Sequence, residues 1–128
     1  MIDIIFYGHP IGKGRPRFGR TGGGAPVTYT PKKTKDYERD LASLAQVAMK
    51  GQVPTEQPVK ITIDVFFTHK TKTGWHTSRP DLDNIVKIVL DGLNGVVFKD
   101  DSCVVQIIAS KKYDDKDEER VEIKVDNV

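Results

Sequence analysis

The chain has 128 residues, 38% of them apolar and 30% charged, enough to bury a real core within one domain spanning 1–128 and too apolar for wholesale disorder. No apolar run approaches the roughly 20 residues of a membrane helix, and the first basic residues follow the short opening apolar stretch, the reverse of a signal peptide; the cytoplasm is the expected compartment. The net charge of +2 conceals an asymmetry, because residues 1–80 hold 13 Lys/Arg against 6 Asp/Glu whereas residues 81–128 hold 7 against 12, a pattern that suits either a polyanion-binding surface beside clustered carboxylates or an uneven solvated surface.

Ile2 to Tyr7 reads as a first strand closed by Gly8 and Pro10. From Gly12 to Gly24 the chain is almost entirely Gly, Arg, Lys and Pro, without apolar periodicity, and is expected to form a flexible basic loop. Val27 to Tyr29 follows as a short returning strand. Thr30 then supplies an N-cap and Pro31 a first helical residue. Tyr37, Leu41, Leu44, Ala45 and Ala48 recur at helical spacing, predicting a helix from Pro31 to Lys50 that stops at Gly51. Val59, Ile61, Ile63, Val65 and Phe67 alternate with more polar residues, as in a half-buried strand. His69 to Pro80 is a polar loop, and Leu82, Ile85, Val86, Val89, Leu90 and Leu93 predict a second helix ending near Asn94 and Gly95. Val104 to Ser110 reads as a buried strand that carries the lone Cys103 at its start, Tyr113 to Glu119 as an acidic hairpin loop, and Val121 to Val125 as an alternating last strand. The order predicts an α+β fold, a mixed β-sheet with two main helices packed on it. One cysteine forms no internal disulfide and no zinc knuckle.

The chemistry concentrates in Arg79-Pro80-Asp81-Leu82-Asp83-Asn84-Ile85-Val86-Lys87. Pro80 disfavours helix at Arg79, so the helix begins at or after Asp81 and both carboxylates fall at its positively polarised N-terminus. Leu82, Ile85 and Val86 face inward, and Asp83, Lys87 and Asp91 line a different face at spacings of four. Two readings stand. Asp81 is an N-cap and Asp83 with Lys87 a surface pair, or the carboxylates are ligands joined by a second acidic pair, Asp100-Asp101, beyond the same helix. The second reading requires the chain to double back, because a helix of about 13 residues is close to 20 Å long. Were Asp81, Asp83 and Asp101 to meet, their oxygens would suit Mg²⁺, with Lys87 placed to neutralise charge developing on a phosphate.

These residues resemble the RusA family of Holliday junction resolvases, which show an Arg/Lys-x-Asp-Leu-Asp-Asn motif, a lysine four positions after the second Asp, and an Asp-Asp pair opening the next strand. Gly8-His9-Pro10 with Lys13-Gly14-Arg15-Pro16-Arg17 is similar to the family's basic opening segment, so the likeness covers most of the chain in order. It implies an Mg²⁺-dependent endodeoxyribonuclease, with Mn²⁺ as the other candidate metal, that cuts four-way DNA junctions as a homodimer. It further implies metal binding by Asp81, Asp83 and Asp101, with Lys87 as a catalytic lysine; between Asp100 and Asp101 the second is taken as the ligand.

Lys13, Arg15, Arg17, Arg20, Lys32, Lys33, Lys35, Lys70, Lys72 and Arg79 are the expected phosphate contacts, which position DNA without reading its sequence. Phe18, Tyr29 or Trp75 are candidates to stack on bases, against ordinary packing. His9, His69 and His76 show no i,i+4 ligand spacing, and two of them fall in a loop expected at the surface. A nuclease core of the Pro-Asp…Glu-x-Lys type has its letters in Pro80-Asp81 and Glu122-Ile123-Lys124, but Glu122 and Lys124 alternate with apolar residues as a solvated strand face. A non-catalytic DNA-binding accessory protein is the remaining alternative.

Overall fold

The alternating stretch from Val59 sets the fold. In the computed structural model, which describes residues 1–14, 17–20 and 22–128 with the side chains of Arg17, Phe18, Arg20 and Pro26–Tyr29 outside the description, this stretch is β4 (Val59–Phe67), and all five of its alternate apolar residues are buried. Around it lie β1 (Ile2–Tyr7), β2 (Arg17–Arg20), β3 (Pro26–Tyr29), α1 (Lys32–Met49), α2 (Leu82–Leu93), a 3₁₀ turn at Asp101–Cys103, β5 (Val104–Tyr113) and β6 (Arg120–Asn127). The main sheet has the order β1-β6-β4-β5. β6 pairs antiparallel with β1 and β4, whereas β5 pairs parallel with β4. This is the expected α+β architecture of a mixed sheet carrying two helices.

The strands present one apolar row, Ile2, Ile4, Ile61, Ile63, Val65, Val121, Ile123 and Val125, and both helices cover it. Leu41, Ala45 and Met49 recur every fourth residue on α1, and Ile85, Ile88, Val89 and Leu93 fill the facing side of α2. Each fully buried side chain of this size stabilises the fold by about 1.5–3 kcal/mol before the entropy cost of ordering it. The other sheet face, with Asp3, Thr62, Asp64, Glu122 and Lys124, is open.

Several expectations are corrected. Part of the loop expected from Gly12 to Gly24 is a strand, because β2 pairs antiparallel with β3 as a separate two-stranded sheet. The N-cap of α1 is Pro31, not Thr30; its ψ of 144° is extended and starts the helix one residue later. Leu44 is exposed, and Met49 completes the buried stripe, since spacings of four from Leu41 track the core better than the three-residue step. Residues 114–119 do not close a hairpin, because β4 lies between β5 and β6. β5 is not a buried strand. It forms the sheet edge, with Val105, Ile107 and Ile108 at 59%, 45% and 51% exposure.

α1 and α2 approach most closely where Gly92 meets Leu41. A Cβ on Gly92 would lie 2.9 Å from Leu41 Cδ2 and 3.3 Å from its Cβ, and fully buried Leu41 has nowhere to retreat. Gly92→Val should therefore lower unfolding free energy by about 1–3 kcal/mol through overpacking, measured by urea denaturation. Unchanged stability would show that the helices separate without cost.

Candidate active site

α2 opens at Leu82 with Asp81 in the N-cap position, its backbone extended at φ −67° and ψ 143°. The Asp81 carbonyl accepts the first helical bond, from Ile85 N–H at 3.2 Å. Its carboxylate makes no capping hydrogen bond. Asp83 lies in the first turn of the same helix, and both carboxylates are exposed. Lys87 is exposed one turn further on, and among the described residues neither it nor Asp83 enters an ion pair. The cap and surface-pair roles are therefore not taken up. Two uncommitted carboxylates stand where unpaired helix N–H groups favour negative charge.

The opening segment builds the wall of this site. Lys13 N–H donates to the Asn84 carbonyl at 2.8 Å, and Gly14 N–H donates to Thr34 Oγ1 at 3.2 Å, so one short stretch bridges the starts of both helices. Gly12 is required by proximity, since a Cβ there would lie 2.9 Å from Asn84 Cβ and 3.3 Å from Pro80 Cβ. Gly12, Lys13, Arg79, Pro80, Asp81 and Asn84 line a cleft of about 620 Å³. The two segments that carried the sequence reading, separated by more than sixty residues in the chain, thus share one site.

Lys13 is not free to meet phosphate. Its Nζ pairs with Glu38 and, at 3.0 Å, with Asp91; burial opposes the charge, but these hydrogen bonds outweigh it and raise the pKa. Lys13 therefore acts as a clamp between α1 and α2. Lys32, Lys33, Lys35, Lys70, Lys72 and Arg79 are exposed and form no ion pair among the described residues. Arg15 and the side chains of Arg17, Arg20, Phe18 and Tyr29 lie outside the described residues. Trp75 is exposed at 69% and bridges by its backbone to Lys112.

Two supporting residues escaped the sequence reading. Lys111 Nζ donates to the carbonyls of Ser78 and Pro80, both at 2.8 Å, and so fixes the chain just ahead of Asp81. The available signal was a lysine in register with buried Val65. His76, expected at the surface, is buried. It stacks on Phe67 with centroids 3.9 Å apart and packs against Tyr113.

Asp101 stands elsewhere. It opens the turn before β5, next to Cys103, whose Sγ approaches the Thr55 carbonyl at 3.8 Å. Asp81 stands beside Lys111, seven residues further along β5. At about 3.3 Å per residue this is a separation of roughly 23 Å. The doubling back that would join Asp101 to Asp81 and Asp83 does not occur within one chain, and among the described residues no three His, Cys, Asp or Glu side chains gather to hold a metal. Asp100 is committed locally: hydrogen bonding from the Ser102 side chain, and then from Ser102 N–H at 3.3 Å, lowers its pKa. Asp101 is exposed.

A mixed sheet with a helix-opening pair of free carboxylates, walled by a glycine-rich segment, defines a candidate phosphodiester-cleaving domain. Residues 7–126 match the family described as Endodeoxyribonuclease RusA, and the chain belongs to that family of nucleases. It is 33% identical over 140 aligned positions to an uncharacterized Bacillus subtilis protein, YqaN, covering 99% of this chain and 96% of the relative. It is also 37% identical over 75 positions to a crossover junction endodeoxyribonuclease of Lactococcus phage r1t, covering 56% of each chain.

His76 ties the loop before Asp81 to pH. Burial first, then the charges of Lys111, Lys72 and His9, hold its pKa below the ordinary 6.5 despite an opposing backbone hydrogen bond. The unfolded chain therefore binds a proton that the folded chain refuses. This contribution to stability is full above pH 6.5 and is lost as pH falls from there through the lowered value. His76→Phe, which keeps the stacking, should lose less stability than wild type between pH 7.5 and 5.5 in thermal melts. Equal losses would remove His76 as the cause.

Proposed function

We propose that the protein is a divalent-metal-dependent endonuclease, using Mg²⁺ or Mn²⁺, that resolves four-way DNA junctions by paired symmetric nicks as a homodimer in the cytoplasm. One observation carries this reading: Asp81 and Asp83 stand exposed and uncommitted at the start of α2, in a chain that matches the RusA family almost end to end. Carboxylate oxygens are the hard donors these cations prefer, and two free ones beside a cleft open to a backbone phosphate fit such an ion. Asp81 and Asp83 would hold it; Asp101, distant from them within one chain, would join only from the second copy of the proposed homodimer. A cation bound there supplies positive charge against the scissile phosphate and acidifies water.

The protein's own residues supply the rest. Lys87, one helical turn from Asp83, is placed to neutralise charge developing on the phosphate. Arg79, at the cleft rim, and Lys33, in the neighbouring groove with Gly12, Gly14 and Pro80, hold the DNA backbone. Lys13 and Lys111 act indirectly, by fixing the cleft walls. A two-fold dimer offers two equivalent sites to the two equivalent strands of a junction.

The test is cleavage of a labelled synthetic four-way junction beside a linear duplex of the same sequence, in Mg²⁺, in Mn²⁺ and in excess EDTA. Paired nicks in the junction alone, abolished by EDTA, are expected. Equal cutting of the duplex would make the protein a general nuclease, and binding without cutting in either metal would make it an accessory protein. Asp81→Asn and Asp83→Asn should each lower cleavage by a factor of about 100 or more, the scale on which a charge-stabilising group acts, while junction binding persists. Weakened binding with full-rate cleavage would remove that residue from the site. Separately, Arg79→Ala or Lys33→Ala should weaken junction binding and reduce the slope of log affinity against log salt by about 1. An unchanged slope would take that residue off the DNA path.

A further inference from the structure

The open face of the sheet carries a row of side chains that neither the core nor the cleft explains. Strand register aligns five residues across it: Trp75 opposite Lys112, Lys112 opposite Phe66, Phe66 opposite Arg120, and Arg120 opposite Tyr7. Directly opposed residues put their side chains on one face. That face is turned away from α1 and α2, since Phe66 lies between buried Val65 and Phe67, and His76, the neighbour of Trp75, packs on Phe67 from the other side. Aromatic and cationic side chains therefore alternate along one line. At about 4.8 Å per strand, the line is roughly 19 Å long.

We infer that this row is a binding surface for single-stranded DNA, separate from the Asp81 cleft. Its two ends are aromatic and wet, with Trp75 exposed at 69% and Tyr7 at 58%. Neither hangs on a loose chain. Trp75 sits in a segment pinned to β5, where His76 N–H donates to the Lys111 carbonyl and Tyr113 N–H to the Gly74 carbonyl. Tyr7 is the last residue of β1, and the next amide, Gly8 N–H, donates to the Glu119 carbonyl. Large rings held in solvent by a fixed backbone gain from a partner that covers them. The middle of the row is already assembled. Arg120 is committed to Asp114 at 2.9 Å and to Glu122 at 2.7 Å, and its guanidinium lies 4.0 Å from the centre of the Phe66 ring, which it holds in place. Lys112 Nζ is 5.1 Å from the same ring and enters no ion pair among the described residues. With Lys72 it borders a groove of about 400 Å³ beside Phe66 and Gly74.

The alternation sets the chemistry of the partner. It must offer flat π faces to the rings and negative charge to the lysines. Unpaired bases on a phosphodiester strand do both, and stacking on aromatic rings tolerates any base. A duplex does not, because its base faces already cover one another. A proline-rich peptide would use the rings and leave the lysines idle. The adjacent row, Ile5, Glu122, Asp64 and Ser110, has two carboxylates and no cation, so it repels a phosphate backbone and confines the strand to the aromatic row. Trp75 also stands six residues ahead of Asp81, in the loop that Lys111 fastens. A strand on the row thus ends beside the part of the sheet that carries the cleft. That the strand is DNA rests on the proposed nuclease reading; the stacking geometry does not.

Trp75 is the chain's one tryptophan, so its fluorescence reports the row directly. Wild-type protein in excess EDTA is titrated with a thymidylate oligomer of about 12 nucleotides, with an abasic strand of equal length, and with a blunt duplex. Quenching by the thymidylate oligomer, and little by the other two, is expected. Anisotropy of the labelled oligomer then reads the variants. Trp75→Ala and Tyr7→Ala should each weaken binding about tenfold, Trp75→Phe should keep most of the affinity, and Lys112→Gln should reduce the slope of log affinity against log salt by about 0.7. Both rings are exposed, so unchanged thermal melts should accompany these losses. Equal quenching by the abasic strand would reduce the row to unspecific charge, and equal quenching by the duplex would merge it with the cleft; either overturns the inference. So does full affinity in both alanine variants, or quenching by a proline-rich peptide and not by DNA. Because no cleavage is involved, failure of wild type to cut any junction would refute the nuclease reading and leave this result standing.

Discussion

The parallel pairing of β4 with β5 governs where everything else can be. Two neighbouring strands that run the same way need a return path, and α2 supplies it, leaving the end of β4 and coming back toward its start. A helix used in this way has its N-terminus at one end of the sheet and delivers the chain to the other. Asp81 and Asp83 take the first position and Asp100-Asp101 the second. No adjustment of the short connection from Asn94 to Asp100 alters this, because Gly95 N–H donates to Phe98 O at 2.8 Å and Lys99 N–H to Thr55 O at 2.9 Å, anchoring the turn beside the start of β4.

The near end is organised by close packing more than by charge. Gly12 and Gly14 allow the opening segment to lie directly on Asn84, Pro80 and Thr34, and Lys13 then ties α1 to α2 through Glu38 and Asp91. A lysine that looked like a phosphate contact is thus a structural cation, and its partners keep two carboxylates from adding to the negative charge beside Asp81. Lys111 works to the same end from the sheet. Its ammonium donates to the loop carbonyls of Ser78 and Pro80. Near the cleft the candidate groups Asp81, Asp83 and Lys87 stay exposed and, among the described residues, outside any ion pair.

Most of the fold was legible because it is carried by period. Val59–Phe67 and Leu82–Leu93 show clean repeats of two and of three to four residues, and both elements sit where those repeats place them. The errors lie where period is silent. A mostly apolar run such as Val104–Ile108, broken only by Gln106, reads the same inside a sheet and at its edge, so the edge position of β5 was hidden. β2 has no apolar alternation, and its pairing with β3 is a matter of backbone register. His76 is polar by composition yet buried by stacking, which depends on Phe67 and Tyr113 arriving from two different strands. The motif around Asp81 was legible as a group. The position of Asp101 was not, because connection lengths do not reveal that β4 and β5 are parallel.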